Sequence, residues 1–188
     1  AYLHAYRLTG LDELRRAARG ILDYTHRVLR SPEGGFYSAL DSETDGIEGL
    51  YYLWTKTEIL EVLGDDAASF LAVYDLAPMP EGDKGVLYMP RSLADVAAGR
   101  GIEPEVLDLQ LAPLRQRLLG VRQQRPRPLL DTKILSGWNG LMIDAYAYGS
   151  EVLGDEGYQA TARQAAAFVW QRLRDGDTRL QRSFRDGV

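Results

Sequence analysis

Two stretches decide how this chain is read: LTGLDELRRAARGILDYTHRVLR (Leu8–Arg30) and VLGDEGYQATARQAAAFVWQRLR (Val152–Arg174). Shifted by 144 residues, Gly10, Ala18, Arg19, Leu29 and Arg30 fall on Gly154, Ala162, Arg163, Leu173 and Arg174, and Tyr24 falls on Phe168. Both follow one plan: helix, tight turn at glycine, helix, then a turn into a strand-like run. That run is Gly35-Phe36-Tyr37-Ser38 in the first copy and Arg179-Leu180-Gln181-Arg182 in the second. Helical hairpins repeated in this way bury their apolar faces against neighbouring hairpins. An α-hairpin solenoid or a closed α/α toroid fits the pattern.

The rest of the chain is read outward from these copies. Residues 1–9 read as the end of a helix. Residues 11–30 read as a stronger one, with Leu14, Ala17, Ala18, Ile21, Leu22, Thr25, Val28 and Leu29 at helical spacing. Ser31-Pro32 ends it. Phe36–Leu40 and Leu50–Trp54 are expected as short strands of a long hairpin. Thr55 with Glu58 makes a capping box, predicting a helix from Lys56 to Leu63, and another is expected from Asp66 to Tyr74. Residues 77–90 read as a loop with a brief strand at Val86–Met89. Ser92 is expected to cap a short helix, and Pro104 to open the next. Leu107, Leu111, Leu114, Leu118 and Val121 form an apolar stripe that Pro113 interrupts, so two helices or a kink are expected there. Ser136 is expected to cap a helix with Trp138, Leu141, Met142, Ala145, Tyr148, Gly149 and Val152 on one face, ending at Gly154. Residues 156–174 form the last helix.

The chain has 188 residues, 45% of them hydrophobic, enough for one sizeable core, so a single domain is expected. Net charge is −5, which argues against a nucleic-acid partner. No run approaches the ~18 apolar residues that span a bilayer, and no signal peptide opens the chain. Cysteine is absent, which excludes disulfides, a thiol nucleophile and thiolate metal ligands; a reducing cytoplasm is compatible. With only His4 and His26, a multi-histidine metal site is disfavoured, and no metal or cofactor is expected. Both ends look cut, which reads as a fragment of a longer protein.

Two segments carry candidate chemistry. In GGFYSALDSETDGIEGLYYLW (Gly34–Trp54), Asp41, Glu43, Asp45 and Glu48 lie between aromatic runs. Asp41-x-Glu43-x-Asp45-Gly46 copies the opening of a calcium loop, but Tyr52 stands where the bidentate glutamate belongs. The remaining readings are a solvated loop, or a polyol site in which carboxylates grip hydroxyls and aromatic faces stack on the ring. In LLDTKILSGWNGLMIDAYAYG (Leu129–Gly149), Asp131 and Lys133 precede a helix whose first turn holds Trp138 and Asn139. These form either a pocket wall or an ion pair beside a core tryptophan, and the apolar stripe favours the core reading for Trp138. Asn139 is also a candidate capping residue. The basic run Arg115, Arg117, Arg122, Arg125, Arg127 reads as a solvated helix face and tail. No Walker, dinucleotide or G-x-S-x-G motif is present.

SPEGGFYSALDSETDGIEGLYYLWT (Ser31–Thr55) and LDTKILSGWNGLMI (Leu130–Ile143), with GVLYMP (Gly85–Pro90) between them, resemble signature blocks of the spermatogenesis-associated protein 20 family. Its bacterial, YyaL-like members are thioredoxin-domain-containing proteins. The resemblance implies an N-terminal thioredoxin-like domain, absent here, joined to an (α/α)6 toroid similar to six-hairpin glycosidases and N-acylglucosamine 2-epimerases. This chain matches the middle of that toroid: mainly α, helical-hairpin repeats with short β-hairpin insertions. It departs from the family pattern where Asp131-Thr132-Lys133 replaces Asp-Asp-Lys, where Ser136-Gly137 replaces Thr-Ser, and where Ile47 replaces the first glutamate of Glu-Glu-Gly.

Two functions follow. The first is action on, or binding of, a carbohydrate. Asp41, Glu43 and Asp131 are then the catalytic candidates, glycoside hydrolase-like or epimerase-like, with Tyr52, Glu48, Lys133, Trp138 and Asn139 holding the sugar. The second is a non-catalytic scaffold or partner-binding module, supporting the absent thioredoxin-like domain of the same parent chain or self-associating through helix faces that lack neighbours. Wide carboxylate spacing, or ion-paired and occluded acids, discriminate in favour of the module, and perturbed acids in an open pocket in favour of the enzyme.

Overall fold

The computed structural model describes residues 1–79, 82–176 and 179–185. The fold is mainly α with short antiparallel strand pairs. In chain order the elements begin with α1 (Tyr2–Thr9), α2 (Asp12–Leu29), β1 (Ala39–Leu40), β2 (Glu43–Thr44), β3 (Ile47–Glu48) and a 3-10 turn at Leu50–Tyr52. Then come α3 (Lys56–Leu63), a second 3-10 turn, α4 (Ala67–Leu71), β4 (Asp75–Pro78), β5 (Gly85–Tyr88), α5 (Leu93–Arg100) and α6 (Pro104–Gln123). The last are β6 (Leu130–Asp131), β7 (Ile134–Leu135), α7 (Ser136–Leu153), α8 (Glu156–Arg172), β8 (Arg174–Asp175), β9 (Arg179–Leu180) and β10 (Ser183–Phe184). The chain divides into two compact units, residues 41–129 and the segments flanking them. Among the described residues, no helix is long and apolar enough to cross a membrane.

The flanking unit contains the repeat. Gly10 and Gly154 end α1 and α7 in the left-handed region, with φ of 69° and 65°, where a side chain would be strained. α2 and α8 follow. The Tyr37 N–H donates to the Leu29 carbonyl at 2.8 Å, and the Gln181 N–H to the Leu173 carbonyl at 2.7 Å. Arg30 pairs with Phe36 as Arg174 pairs with Leu180. Each correspondence keeps the 144-residue offset, so the two copies share backbone hydrogen bonds as well as helices. The exit strands then converge on one segment. β1 pairs with β6 (Ala39 opposite Asp131), and β10 pairs with β7 (Ser183 opposite Leu135), so Leu130–Leu135 is gripped at both ends.

Packing between the hairpins is tight. Tyr146 of α7 is fully buried, stacks on Phe36 with ring centroids 5.2 Å apart, and donates its hydroxyl to the Leu22 carbonyl at 2.6 Å. Burying each such aromatic contributes roughly 1.5–3 kcal/mol. α7 departs from its expected face. Its inward residues are Asn139, Tyr146 and Gly149, whereas Trp138 and Leu141 are 53% and 70% exposed. Trp138 is therefore not core. Ser136 is the first helical residue and does not cap; its hydroxyl donates to the Arg182 carbonyl.

In the 41–129 unit, Leu107, Leu111, Leu114 and Leu118 of α6 pack with Trp54, Ile59, Leu63 and Phe70, while Val121 stays 37% exposed. The capping box at Thr55 and Glu58 is present, Ser92 caps α5, and Pro104 opens α6. α6 runs unbroken through Pro113. An interior proline costs about 3 kcal/mol, while four buried leucines contribute roughly 1.5–3 kcal/mol each. Pro113 and Leu109, whose carbonyl loses its N–H partner, both lie on the exposed face of the helix. β5 falls on the brief strand expected at Val86–Met89, and it pairs with β4, a strand that was not expected, in antiparallel register.

Gly35 tests the packing of the first repeat's exit. A Cβ there would lie 2.8 Å from the Phe168 ring and 3.1 Å from Ile134. Gly35→Ala is expected to destabilise the chain by about 1–3 kcal/mol. Gly140→Ala, whose Cβ meets nothing within 4 Å on the exposed side of α7, should stabilise it by about 0.5–1 kcal/mol. Urea unfolding of the two variants measures both, and a neutral Gly35→Ala would contradict the packing.

Candidate functional site

The acidic loop is a tight hairpin. Asp45 and Gly46 both have positive φ, 53° and 75°, as the two-residue type I′ turn requires, and Asp-Gly is a favoured pair for it. The turn sets the register: Thr44 faces Ile47, Glu43 faces Glu48, and the Gly49 N–H donates to the Ser42 carbonyl at 2.7 Å. The long hairpin between Phe36–Leu40 and Leu50–Trp54 does not form. β1 pairs with β6 instead, and Leu50–Tyr52 is a 3-10 turn.

This geometry places the candidate acids. The Asp41 carboxylate accepts from the Glu43 N–H at 3.1 Å, a local turn contact, and both residues are exposed. Glu43 and Glu48 stand directly opposite each other, an unfavourable like-charge pair tolerated because both face water. Among the described residues no group of three His, Cys, Asp or Glu is placed to hold a metal. Tyr52 is half-buried, edge-on to Tyr51 at 5.0 Å, with the Arg122 guanidinium 5.4 Å from its ring centre.

The second segment belongs to the flanking unit. Asp131 accepts from the Lys133 backbone N–H at 3.2 Å and pairs with its ammonium at 3.1 Å. The backbone N–H first, then the ammonium, hold its carboxyl below the usual carboxylate range. Such a group stays ionised at neutral pH and has no proton to give as a general acid. Asn139 is 1% exposed and its amide is fully engaged. The oxygen accepts from the Phe36 N–H at 2.8 Å, and the nitrogen donates to the carbonyls of Phe36 and Leu135, each at 3.0 Å. Asn139 is thus a structural clamp between the first repeat's exit and the start of α7, leaving no donor for a sugar. A cavity of about 420 Å³ between α1 and α7 is lined by Tyr6, Arg7, Gly10, Glu151 and Val152, none of them a candidate residue.

The sequence reading missed the work of the basic run. Arg125 donates to the Leu53 and Tyr51 carbonyls, pairs with Glu58 at 3.3 Å and lies 4.1 Å from the Trp54 ring centre. Arg115, held by Asp108 of its own helix at 2.7 Å, donates to the Tyr74 hydroxyl at 3.4 Å, and Arg117 pairs with Asp66 at 3.0 Å. These side chains fasten α6 and the segment after it to the rest of their unit. The available signal was the composition around them: guanidinium groups commonly stack on tryptophan and bridge to carbonyls.

No family model matches the chain. It is 31% identical to human spermatogenesis-associated protein 20 over 93% of its own length and 26% of the relative's. The mouse protein of the same name is 31% identical over 97% of this chain and 27% of its own length. An uncharacterised Caenorhabditis elegans protein is 25% identical over 92% of this chain and 27% of its own length. The chain thus spans about a quarter of the length of the curated relatives it matches.

Asn139→Ala is expected to cost about 2–4 kcal/mol, because it leaves the buried Phe36 N–H and carbonyl unpaired. Asp131→Asn should leave the unfolding midpoint nearly unchanged, because its ion pair is exposed. Since the folded state lowers the Asp131 pKa from 3.8, its contribution is present above that value and lost as pH falls through the lowered one. A carboxyl signal titrating above 3.8 by NMR would contradict the Lys133 contacts.

Proposed function

We propose, from the chain's kinship with the spermatogenesis-associated protein 20 family along nearly its whole length, that it is a non-catalytic, partner-binding module built from helical hairpins. The observation that carries this reading is the outer face of α7. Trp138 and Leu141, three residues apart and so on one helix face, are 53% and 70% exposed, while the opposite face is locked into the repeat. Hairpin repeats bury such faces against further hairpins of the same plan, as α2 and α7 do here. The proposed occupant is therefore another hairpin, the chain forming part of an α/α toroid in a longer cytoplasmic parent. An isolated chain would cover the same face by self-association. The exposed Asp131–Lys133 pair supports the non-catalytic side of this reading.

One observation favours a second reading. An exposed tryptophan is a ready stacking surface for a sugar ring, so Trp138 would serve carbohydrate binding without hydrolysis.

Sedimentation and unfolding test the first reading. The wild-type chain is expected to associate with rising concentration. The double variant Trp138→Glu with Leu141→Lys should remain monomeric, with a melting temperature within about 2 °C of wild type because both side chains face water. Association that survives the double change would sink the reading. Saturable tryptophan quenching by maltotriose, lost in Trp138→Ala, would favour the sugar. Release of reducing sugar that Asp131→Asn abolishes would overturn the non-catalytic assignment.

A further inference from the structure

We propose that the exposed face of α8 docks a further helical hairpin of the parent chain, one whose second helix opens on an acidic N-cap residue and carries a side-chain acceptor nine residues later. The reading of the chain as a hairpin module is the premise, but the face is a different one, since Trp138 and Leu141 lie on α7. The chain matches about a quarter of each relative's length, which leaves room for such a hairpin in the parent.

The contact between the two copies supplies the pattern. One stripe of α2, made of Arg19, Asp23, His26 and Arg30, meets the first turns of α8. The Arg19 guanidinium donates to the Asp155 carboxylate at 2.8 Å, and Asp155 is the N-cap of α8, accepting from the Gly157 N–H. Three residues on, the Tyr158 hydroxyl donates to Asp23 at 2.6 Å. The Thr161 hydroxyl meets the His26 ring nitrogen at 3.3 Å, and Arg30 donates to the Gln164 side chain. The stripe thus reads every third residue of the neighbouring helix, from its acidic N-cap to an amide nine residues later.

The 144-residue offset places Arg163, Ala167, Trp170 and Arg174 at the equivalent positions of α8 and the run after it. Arginine recurs at both positions where the first copy uses it to hold its neighbour. Here the two have no neighbour to hold. All four residues are exposed, Trp170 at 61%. Among the described residues, the Arg163 side chain makes no hydrogen bond or ion pair, and the Arg174 guanidinium only stacks over the Trp170 ring, 4.4 Å from its centre. Ala167 and Trp170 stand where α2 has Asp23 and His26, so the middle of this stripe is apolar. It offers a cation at each end, an apolar centre and no carboxylate. That is complementary to a helix with an acid at its start, apolar side chains three and six residues on, and an acceptor at nine. A second copy of this chain does not fit. Its α2 presents Leu11 and Gly20 where α8 presents Asp155 and Gln164, so neither arginine would find an acceptor.

Fluorescence polarisation tests this on the intact chain. The probe is a labelled, helix-stapled peptide with the sequence of residues 154–172, which carries Asp155, Tyr158, Thr161 and Gln164. Saturable binding with a Kd below about 100 μM is expected. Arg163→Asp and Arg174→Asp should each weaken it about tenfold, with unfolding midpoints near wild type because both side chains are exposed. A peptide with Asp155→Arg should bind the Arg163→Asp chain better than wild type, a reversal that a non-specific helical peptide would not show. Trp138→Glu with Leu141→Lys should leave peptide binding unchanged, so the α7 and α8 faces fail or hold independently. The proposal is overturned if the peptide does not saturate by about 1 mM, or if both arginine variants bind as wild type does. It is equally overturned if Arg19→Asp abolishes binding while they do not, which would mean exchange with the chain's own α8. Dissociation of self-associated wild-type chains by Arg163→Asp would give the face to a second copy and overturn the choice of occupant.

Discussion

The fold of the repeat unit depends on one buried amide. Asn139 spends its oxygen on the Phe36 N–H and its nitrogen on the carbonyls of Phe36 and Leu135. The Phe36 N–H and carbonyl, at a strand exit, lack regular ladder partners, and burying them unpaired would cost several kcal/mol in all, while the bond to the Leu135 carbonyl ties the same side chain to the start of its own helix. One side chain satisfies them and fixes the distance between the first repeat and α7. Phe36 is then held where its ring stacks on Tyr146, and Tyr146 reaches the Leu22 carbonyl. The same constraint orients the helix. Successive helical residues are about 100° apart, so an inward Asn139 turns Trp138 outward. The exposed tryptophan thus follows from the clamp.

That relation explains how much of the fold was legible. The repeat was readable because its evidence is spread over many positions: a glycine at each turn, apolar spacing along each second helix, an extended run after each. The face of α7 was not, because the helix is apolar nearly all round. Periodicity then gives no preferred direction, and a polar residue, Asn139, decides it. Pro113 misled for a related reason. A local penalty of about 3 kcal/mol was visible, but the packing of Leu107, Leu111, Leu114 and Leu118 on both sides of it was not.

The candidate site shows the same division between local and distant information. The carboxylates of the acidic loop suggested a shared ligand, yet Asp45-Gly46 is first a turn, and turn geometry fixed every neighbour of the loop. A hairpin alternates its side chains between faces. In the hairpin Asp45 becomes a turn residue and Glu43 is set opposite Glu48. The candidates divide between the two units: Asp41, Glu43, Glu48 and Tyr52 belong to one, Asp131, Lys133, Trp138 and Asn139 to the other. Lys133 and Asp131, two residues apart, satisfied each other, which nothing in their types alone could distinguish from a catalytic pairing.

Residues 41–129 lie between β1 and β6, and those strands pair, with Leu40 opposite Leu130. The Asp41 N–H continues the ladder by donating to the Leu129 carbonyl at 2.8 Å. The excursion therefore leaves and returns at adjacent points, and the backbone pairing that closes it is independent of what fills it. With its own core around Trp54, Phe70 and α6, the 41–129 unit meets its packing needs internally. A repeat scaffold closed in this way tolerates a long insertion, since loop-closure entropy grows only slowly with length. The insertion is then free to carry chemistry of its own.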